Sequence, residues 1–138
     1  MVDQARVLSK LDELGRYLIE LKAIMPKTAA EYQQSPIKRA CERLVQLCIE
    51  CAIDVSKKLV IGNKLGIPSD EIDVFEKLKK AGIFSSAMLD KLKSMRGLRN
   101  VLVHEYTDID DNRVLEIIMH QLVDFEQFKT EVLSSLNK

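Results

Sequence analysis

The sequence contains little that would interrupt a helix. Its 138 residues include only five glycines and three prolines, and tryptophan is absent. Because glycine and proline are the usual markers of turns, their scarcity favours long helices. Apolar residues make up 46% of the chain, an ordinary share for a globular domain. With few aromatic side chains available, the core must be built mainly from aliphatic ones.

Neither sign of charge is in excess, since lysine plus arginine and aspartate plus glutamate both number 21. We therefore expect no indiscriminate binding to nucleic acid through a large basic surface, although a local basic patch stays open. No apolar run has the length of a membrane span, and the start, Met1-Val2-Asp3-Gln4, is not a basic leader before an apolar block. These features predict a cytoplasmic protein that does not bind membranes.

Three cysteines, an odd number without a secretion signal, argue against a disulfide framework. Cys48 and Cys51 form a C-x-x-C pair, but both fall on the apolar side of a helix and no second pair exists. We interpret the pair as core packing rather than a redox or zinc site. His104 and His120 have no converging set of further ligands, so we expect no metal and no cofactor.

Apolar residues recur at helical spacing along the whole chain, and no strand-like alternation of useful length occurs. This pattern predicts the all-α class: one domain over residues 1–138, folded as an antiparallel bundle of about four to five helices. The five predicted core-facing stripes are Val7, Leu11, Leu14, Leu18, Leu21 and Met25; Ile37, Cys41, Leu44, Cys48, Cys51, Val55 and Leu59; Ile72, Phe75 and Leu78; Met88, Leu92, Met95, Arg99, Leu102 and Tyr106; and Val114, Ile118, Leu122, Phe125, Phe128, Val132 and Leu136.

Local signals predict several helix boundaries. Residues 28–31 have the form of a capping box that opens a short turn of helix. Ser35 before Pro36 predicts a capped start for the second long helix, and Gly62 predicts its end. Ser85 or Ser86 is predicted to cap the helix that carries the fourth stripe.

Arg99 breaks the apolar pattern, because it occupies a stripe position between Met95 and Leu102. A guanidinium is not buried there without a partner. Either it pairs with an acidic neighbour such as Asp54, or it faces a cleft, a partner subunit or an anionic ligand.

The residues that follow Arg99 have complementary chemistry. Arginine binds phosphate bidentately, histidine exchanges a proton near neutral pH, and asparagine orients either group without adding charge. Such a set suits metal-free RNA cleavage by an attack of the ribose 2′-hydroxyl. However, Arg99 and His104 lie about 140° apart on a straight helix. Both reach one phosphate only if the helix ends or distorts near His104, or if two protomers share the pocket.

Positive charge precedes this segment at Lys91, Lys93 and Arg96. A solvated helix face explains the two lysines, whereas Arg96 is a candidate RNA contact if it lines a groove with Arg99. The long apolar stripes also leave room for a homodimer.

The segment 95–106 resembles the signature of the HEPN superfamily, and more closely that of the HepT toxins of HEPN–MNT toxin–antitoxin pairs. The family pattern is R-x4-H-x-Y with asparagine after the arginine, and Arg99, Asn100, His104 and Tyr106 match it at every position. The resemblance extends over most of the chain, including the helix that leads to Asp54.

The resemblance implies a metal-independent endoribonuclease toxin that acts as a homodimer, with the two motif helices facing each other across a cleft. His104 would be the acid/base, Arg99 the phosphate ligand and Asn100 a positioning residue, while Asp54 is a weaker candidate for polar support. The implied partner is an MNT-type nucleotidyltransferase antitoxin that can transfer AMP to Tyr106.

RNA is thus the expected substrate and DNA is not. Two alternatives remain. One is a non-catalytic HEPN subunit that binds substrate or nucleotide for a partner nucleotidyltransferase. The other is a helical interaction module whose pocket is only structural.

Overall fold

The computed structural model describes residues 1–104 and 109–137. In that part of the chain the structure is helical and contains no strand, so the predicted all-α class is confirmed. None of the described helices is long and apolar enough to cross a membrane. The prediction for Tyr106 lies outside the described residues. The helices are α1 (Gln4–Ile24), α2 (Ala29–Tyr32), α3 (Ser35–Gly62), α4 (Glu71–Lys80), α5 (Ser86–His104), α6 (Asp111–Glu116) and α7 (Val123–Leu136).

Most helix starts follow the predicted capping chemistry. Thr28 Oγ1 accepts a hydrogen bond from the backbone N–H of Glu31 at 3.1 Å, and Ser85 Oγ accepts one from Met88 at 3.1 Å. The prediction for α3 is wrong by one residue, because Ser35 is already helical and no side chain caps the helix. Proline in the first turn of α3 has no N–H to leave unsatisfied, which lowers the need for a cap.

The central helix is α3, which contacts α1, α2, α4, α5, α6 and α7. Its predicted stripe was too narrow, because side chains on its other faces are buried as well, among them Val45, Ile49 and Val60. The C-x-x-C pair lies within this core, as predicted. Burial raises the pKa of Cys48 to about 12 and that of Cys51 to about 11, so both remain protonated thiols at neutral pH.

The buried stripe of α5 corrects the interpretation of Arg99. It runs through Met88, Leu92, Met95, Leu98 and Leu102, so Leu98 and not Arg99 occupies the core position. Arg99 lies beside this stripe at the edge of the core, with 17% of its side chain exposed. The arginine is therefore at a boundary that both protein and ligand groups can reach.

The predicted last helix is interrupted by a π-helical turn, Ile117–Gln121, between α6 and α7. Around this turn, the buried residues Val114, Ile118 and Leu122 follow each other at steps of four. Each such step rotates about 40° past a full turn of a straight α-helix. The wider π turn takes up this offset and keeps the apolar side chains facing the core. His120 lies in this turn and is exposed.

The end of α3 approaches the N-terminal segment closely at Gly62. A Cβ atom added there would lie 2.5 Å from the Cα of Val2, whereas one added at Gly15, within α1, would meet only Lys129 Nζ at 3.7 Å. We expect Gly62→Ala to lower the free energy of unfolding by about 1–3 kcal/mol, because backbone must move. Gly15→Ala should raise it by up to about 1 kcal/mol through helix propensity. Urea denaturation measures both changes, and stabilisation by both substitutions would contradict the close approach.

Candidate active site on the fifth helix

The last turns of α5 carry Arg99, Asn100 and His104. The Arg99 Nε–H donates a hydrogen bond to Asn100 Oδ1 at 3.0 Å, so the first two side chains form one polar unit. Both residues are half-buried. The asparagine thereby orients the guanidinium without neutralising its charge.

A carboxylate on a different helix completes the surroundings of Arg99. Glu71, the first residue of α4, accepts hydrogen bonds on Oε1 from Arg99 Nη2 and, at 3.0 Å, from Arg96 Nε. Lys57 Nζ on α3 lies 3.4 Å from Glu71 Oε2. We call Lys57, Glu71, Arg96 and Arg99 the basic cluster. It sets three cationic groups around one carboxylate and therefore keeps an excess of positive charge.

Glu71 is ionised within this cluster. Burial by itself would raise the pKa of Glu71, but Arg99, Arg96 and Lys57 outweigh it and hold the pKa below its usual value. The charged groups lie on α3, α4 and α5, and α4 packs against both of the other helices. The cluster therefore depends on tertiary packing rather than on any one helix.

The sequence alone did not indicate Glu71. It follows the helix cap Asp70, whose side chain accepts a hydrogen bond from the backbone N–H of Asp73 at 2.7 Å. An acidic residue in the first turn of a helix has an ordinary explanation, because it interacts favourably with the helix dipole. No spacing in the sequence connected this position to α5.

The acidic partner of Arg99 is Glu71, and the suggested pairing with Asp54 is wrong. Asp54 Oδ2 lies 3.7 Å from Lys10 Nζ on α1, and 44% of the Asp54 side chain is exposed. Within the described ranges no hydrogen bond or ion pair joins Asp54 to Arg99 or Asn100. No described contact therefore supports the suggested role of Asp54 as polar support for the site.

His104 is the last residue of α5 and is exposed. Helix α5 is continuous from Ser86 to this residue, so no break before His104 brings it toward Arg99. The two side chains still differ by about 140° around the helix axis. Val103 beside the histidine is 38% exposed. The end of α5 thus presents an imidazole and an apolar side chain together.

Comparison with known proteins supplies the family. The model of the family described as "Ribonuclease HepT-like" matches residues 14–132, which is most of the chain. The chain belongs to the HepT-like ribonuclease family. It is therefore an enzyme of the RNA endonuclease class.

Individual HepT relatives agree with this assignment. The chain is 28% identical to the mRNA nuclease HepT of Shewanella oneidensis over 122 residues, covering 88% of this chain and 92% of that protein. It is 30% identical to the tRNA nuclease HepT of Aphanizomenon flos-aquae over 136 residues, covering 98% and 92%. A solved structure of the tri-AMPylated Shewanella oneidensis HEPN toxin in complex with MNT antitoxin matches with a TM-score of 0.88 and 27% identity, covering 97% and 99%.

Two lysines of α5 in this HepT-like chain contribute less to the site. Lys91 Nζ lies 2.9 Å from Asp124 Oδ1, and Lys93 Nζ lies 3.3 Å from Glu76 Oε1. Both lysines therefore form ion pairs away from the basic cluster, whereas Arg96 belongs to it. Across residues 1–104 and 109–137, no group of three His, Cys, Asp or Glu side chains is placed to hold a metal ion.

Proposed function

We propose that this chain is the toxin of a type II toxin–antitoxin pair and cleaves RNA without a metal ion. The observation that supports this most is the basic cluster between α3, α4 and α5, whose Arg99 is also hydrogen-bonded to Asn100, with an exposed His104 at the end of α5. Excess positive charge attracts the RNA backbone, and the histidine supplies proton transfer. We assign RNA contacts to Arg96 as well.

In the proposed reaction the ribose 2′-oxygen attacks the adjacent phosphorus. A His104 imidazole takes the proton of the 2′-hydroxyl as the O2′–P bond forms. The P–O5′ bond then breaks, and the leaving 5′-oxygen receives the proton back from the His104 imidazolium. The products are a 2′,3′-cyclic phosphate and a 5′-hydroxyl.

Arg99 is the proposed ligand of the reacting phosphate. A guanidinium has five N–H donors, and the described contacts of Arg99 use its Nε and Nη2 atoms. Its remaining donors are available for phosphate oxygens, whose negative charge grows in the transition state. Asn100 acts as a positioning residue because its amide oxygen accepts from Arg99 Nε.

We propose that the active form is a homodimer in which two α5 helices face each other. On one continuous helix Arg99 and His104 lie about 140° apart, so a second protomer is needed to bring both to one phosphate. Exposed Val103 beside His104 supports this arrangement, because burying it in an interface removes apolar surface from water.

The proposed partner is an MNT-type nucleotidyltransferase antitoxin that transfers AMP to Tyr106. This proposal rests on the similarity to the HEPN toxin that was solved as a tri-AMPylated complex with MNT antitoxin. The tyrosine itself lies outside the described residues.

The test is to incubate the purified chain with cellular RNA in EDTA and to determine the ends of the products. We expect fragments that end in 2′,3′-cyclic phosphate and begin with 5′-hydroxyl. Intact RNA after incubation with protein that mass spectrometry shows to be free of AMP would overturn the proposal. RNA or nucleotide binding in the absence of cleavage would instead favour the non-catalytic HEPN subunit.

A further inference from the structure

Among the described residues, Glu71 is the one side chain that is ion-paired with both Arg96 and Arg99, and it also pairs with Lys57. Its side chain is 20% exposed, so water screens these contacts only partly. None of the catalytic steps proposed above requires this carboxylate to touch RNA.

The backbone that carries Glu71 is well fixed. Asp70 caps α4 through the N–H of Asp73 at 2.7 Å, and the Asp73 carboxylate accepts from the N–H of Ser69 at 2.9 Å. These reciprocal bonds hold the chain on both sides of Glu71 in place. The carboxylate is thus presented to α5 from an ordered helix start.

Two hydrogen bonds on different atoms define the orientation of Arg99. Asn100 alone binds only Nε, and it comes from the neighbouring position on the same helix, so the two side chains could turn together. Glu71 binds Nη2 from another helix and therefore fixes the guanidinium relative to the rest of the fold. Arg96 and Lys57 in turn hold Glu71, which keeps the carboxylate from following Arg99.

We propose that Glu71 is a positioning residue that fixes the Arg99 guanidinium for phosphate binding. This inference rests on the proposed function, in which Arg99 is the phosphate ligand. The alternative, that Glu71 competes with phosphate for Arg99, fits less well. A competing carboxylate would have to leave Lys57 and Arg96 as well as Arg99 each time RNA binds.

The first experiment compares Glu71→Gln with Glu76→Gln in RNA cleavage. Glu76 lies on the same helix and pairs with Lys93 on α5, so its substitution removes the same charge from a similar ion pair outside the site. We expect Glu71→Gln to lower kcat about 10- to 100-fold with little change in KM, because a displaced catalytic group loses rate more than binding. Glu76→Gln should cleave as the wild type does.

Coupling to Arg99 separates positioning from a general structural role. In the Arg99→Ala background, Glu71→Gln should cause no further loss, because the group that it positions is gone. In ¹⁵N NMR spectra, Arg99 should show distinct Nη signals in the wild type and averaged ones in Glu71→Gln, as hindered rotation is released. Unchanged Arg99 signals would contradict the proposal.

The outcomes distinguish this inference from the function on which it rests. An active wild type with a Glu71→Gln variant that is equally active, or faster, would overturn the positioning role alone. Equal losses with and without Arg99 would do the same. A wild type that leaves RNA intact would overturn the proposed function and this role together.

Discussion

Replacement of His104 by alanine should lower the rate of RNA cleavage by about 10²- to 10⁴-fold, the contribution usual for a general acid–base group. Within the described residues, His104 is the only histidine on α5, and histidine is the side chain most often used for general acid–base catalysis. Arg99 and Asn100 remain in His104→Ala, so RNA should still bind. Single-turnover cleavage with saturating protein measures the chemical step, and RNA titration measures the affinity.

The matched control is His120→Ala. This histidine is also exposed, but it lies in the π-helical turn between α6 and α7. The His120→Ala protein should therefore cleave RNA at the wild-type rate. Because both histidines are exposed, each substitution should change the free energy of unfolding by no more than about 0.5 kcal/mol. A His104→Ala protein that melts normally and cleaves at the wild-type rate would remove His104 from the mechanism.

Where a helix packs on one side only, its sequence predicted it well. The stripe of α1 from Val7 to Leu21 is buried, because a helix at the edge of a bundle buries a single face. Helix α3 is surrounded by its neighbours, so one stripe could not describe it. The π-helical turn was missed because two consecutive steps of four residues are also compatible with a continuous helix. A single apolar stripe therefore predicts the buried residues of a helix that packs on one face, but not those of a helix that is surrounded by others.

The sequence singled out Arg99 partly for the wrong reason. Arg99 drew attention as a charge in the core stripe, whereas the structure gives that core position to Leu98. Adjacent positions on a helix differ by about 100°, so spacing alone did not decide which of the two faces inward. Arginine tolerates such a boundary, because its stem packs while its guanidinium stays near the surface.

The partner of Arg99 could not be predicted by the same means. Glu71 is 28 positions away in the sequence and on a different helix, so their contact depends on how α4 and α5 are rotated against each other. Asp54 was a reasonable candidate by residue type, but it faces α1 and Lys10 instead. Local patterns identify groups that need a partner, and only the packing of helices decides which partner they find.

The geometry of α5 leads to a prediction about mixed protomers. Arg99→Ala and His104→Ala should each be nearly inactive as pure proteins. If one phosphate is bound by Arg99 of one protomer and His104 of the other, a hybrid of the two variants has one defective site, which lacks both groups, and one intact site. Random exchange in an equal mixture makes half of the dimers hybrid, so activity should return to about a quarter of the wild-type value.

Separate affinity tags on the two variants allow the hybrid itself to be purified, and its activity should be about half that of the wild type. The matched control is a mixture of Arg99→Ala protein carrying either tag, which forms dimers but contains no intact site. If Arg99 and His104 act within one protomer, every site in the hybrid lacks one of the two groups. A purified hybrid without activity would therefore contradict the shared site.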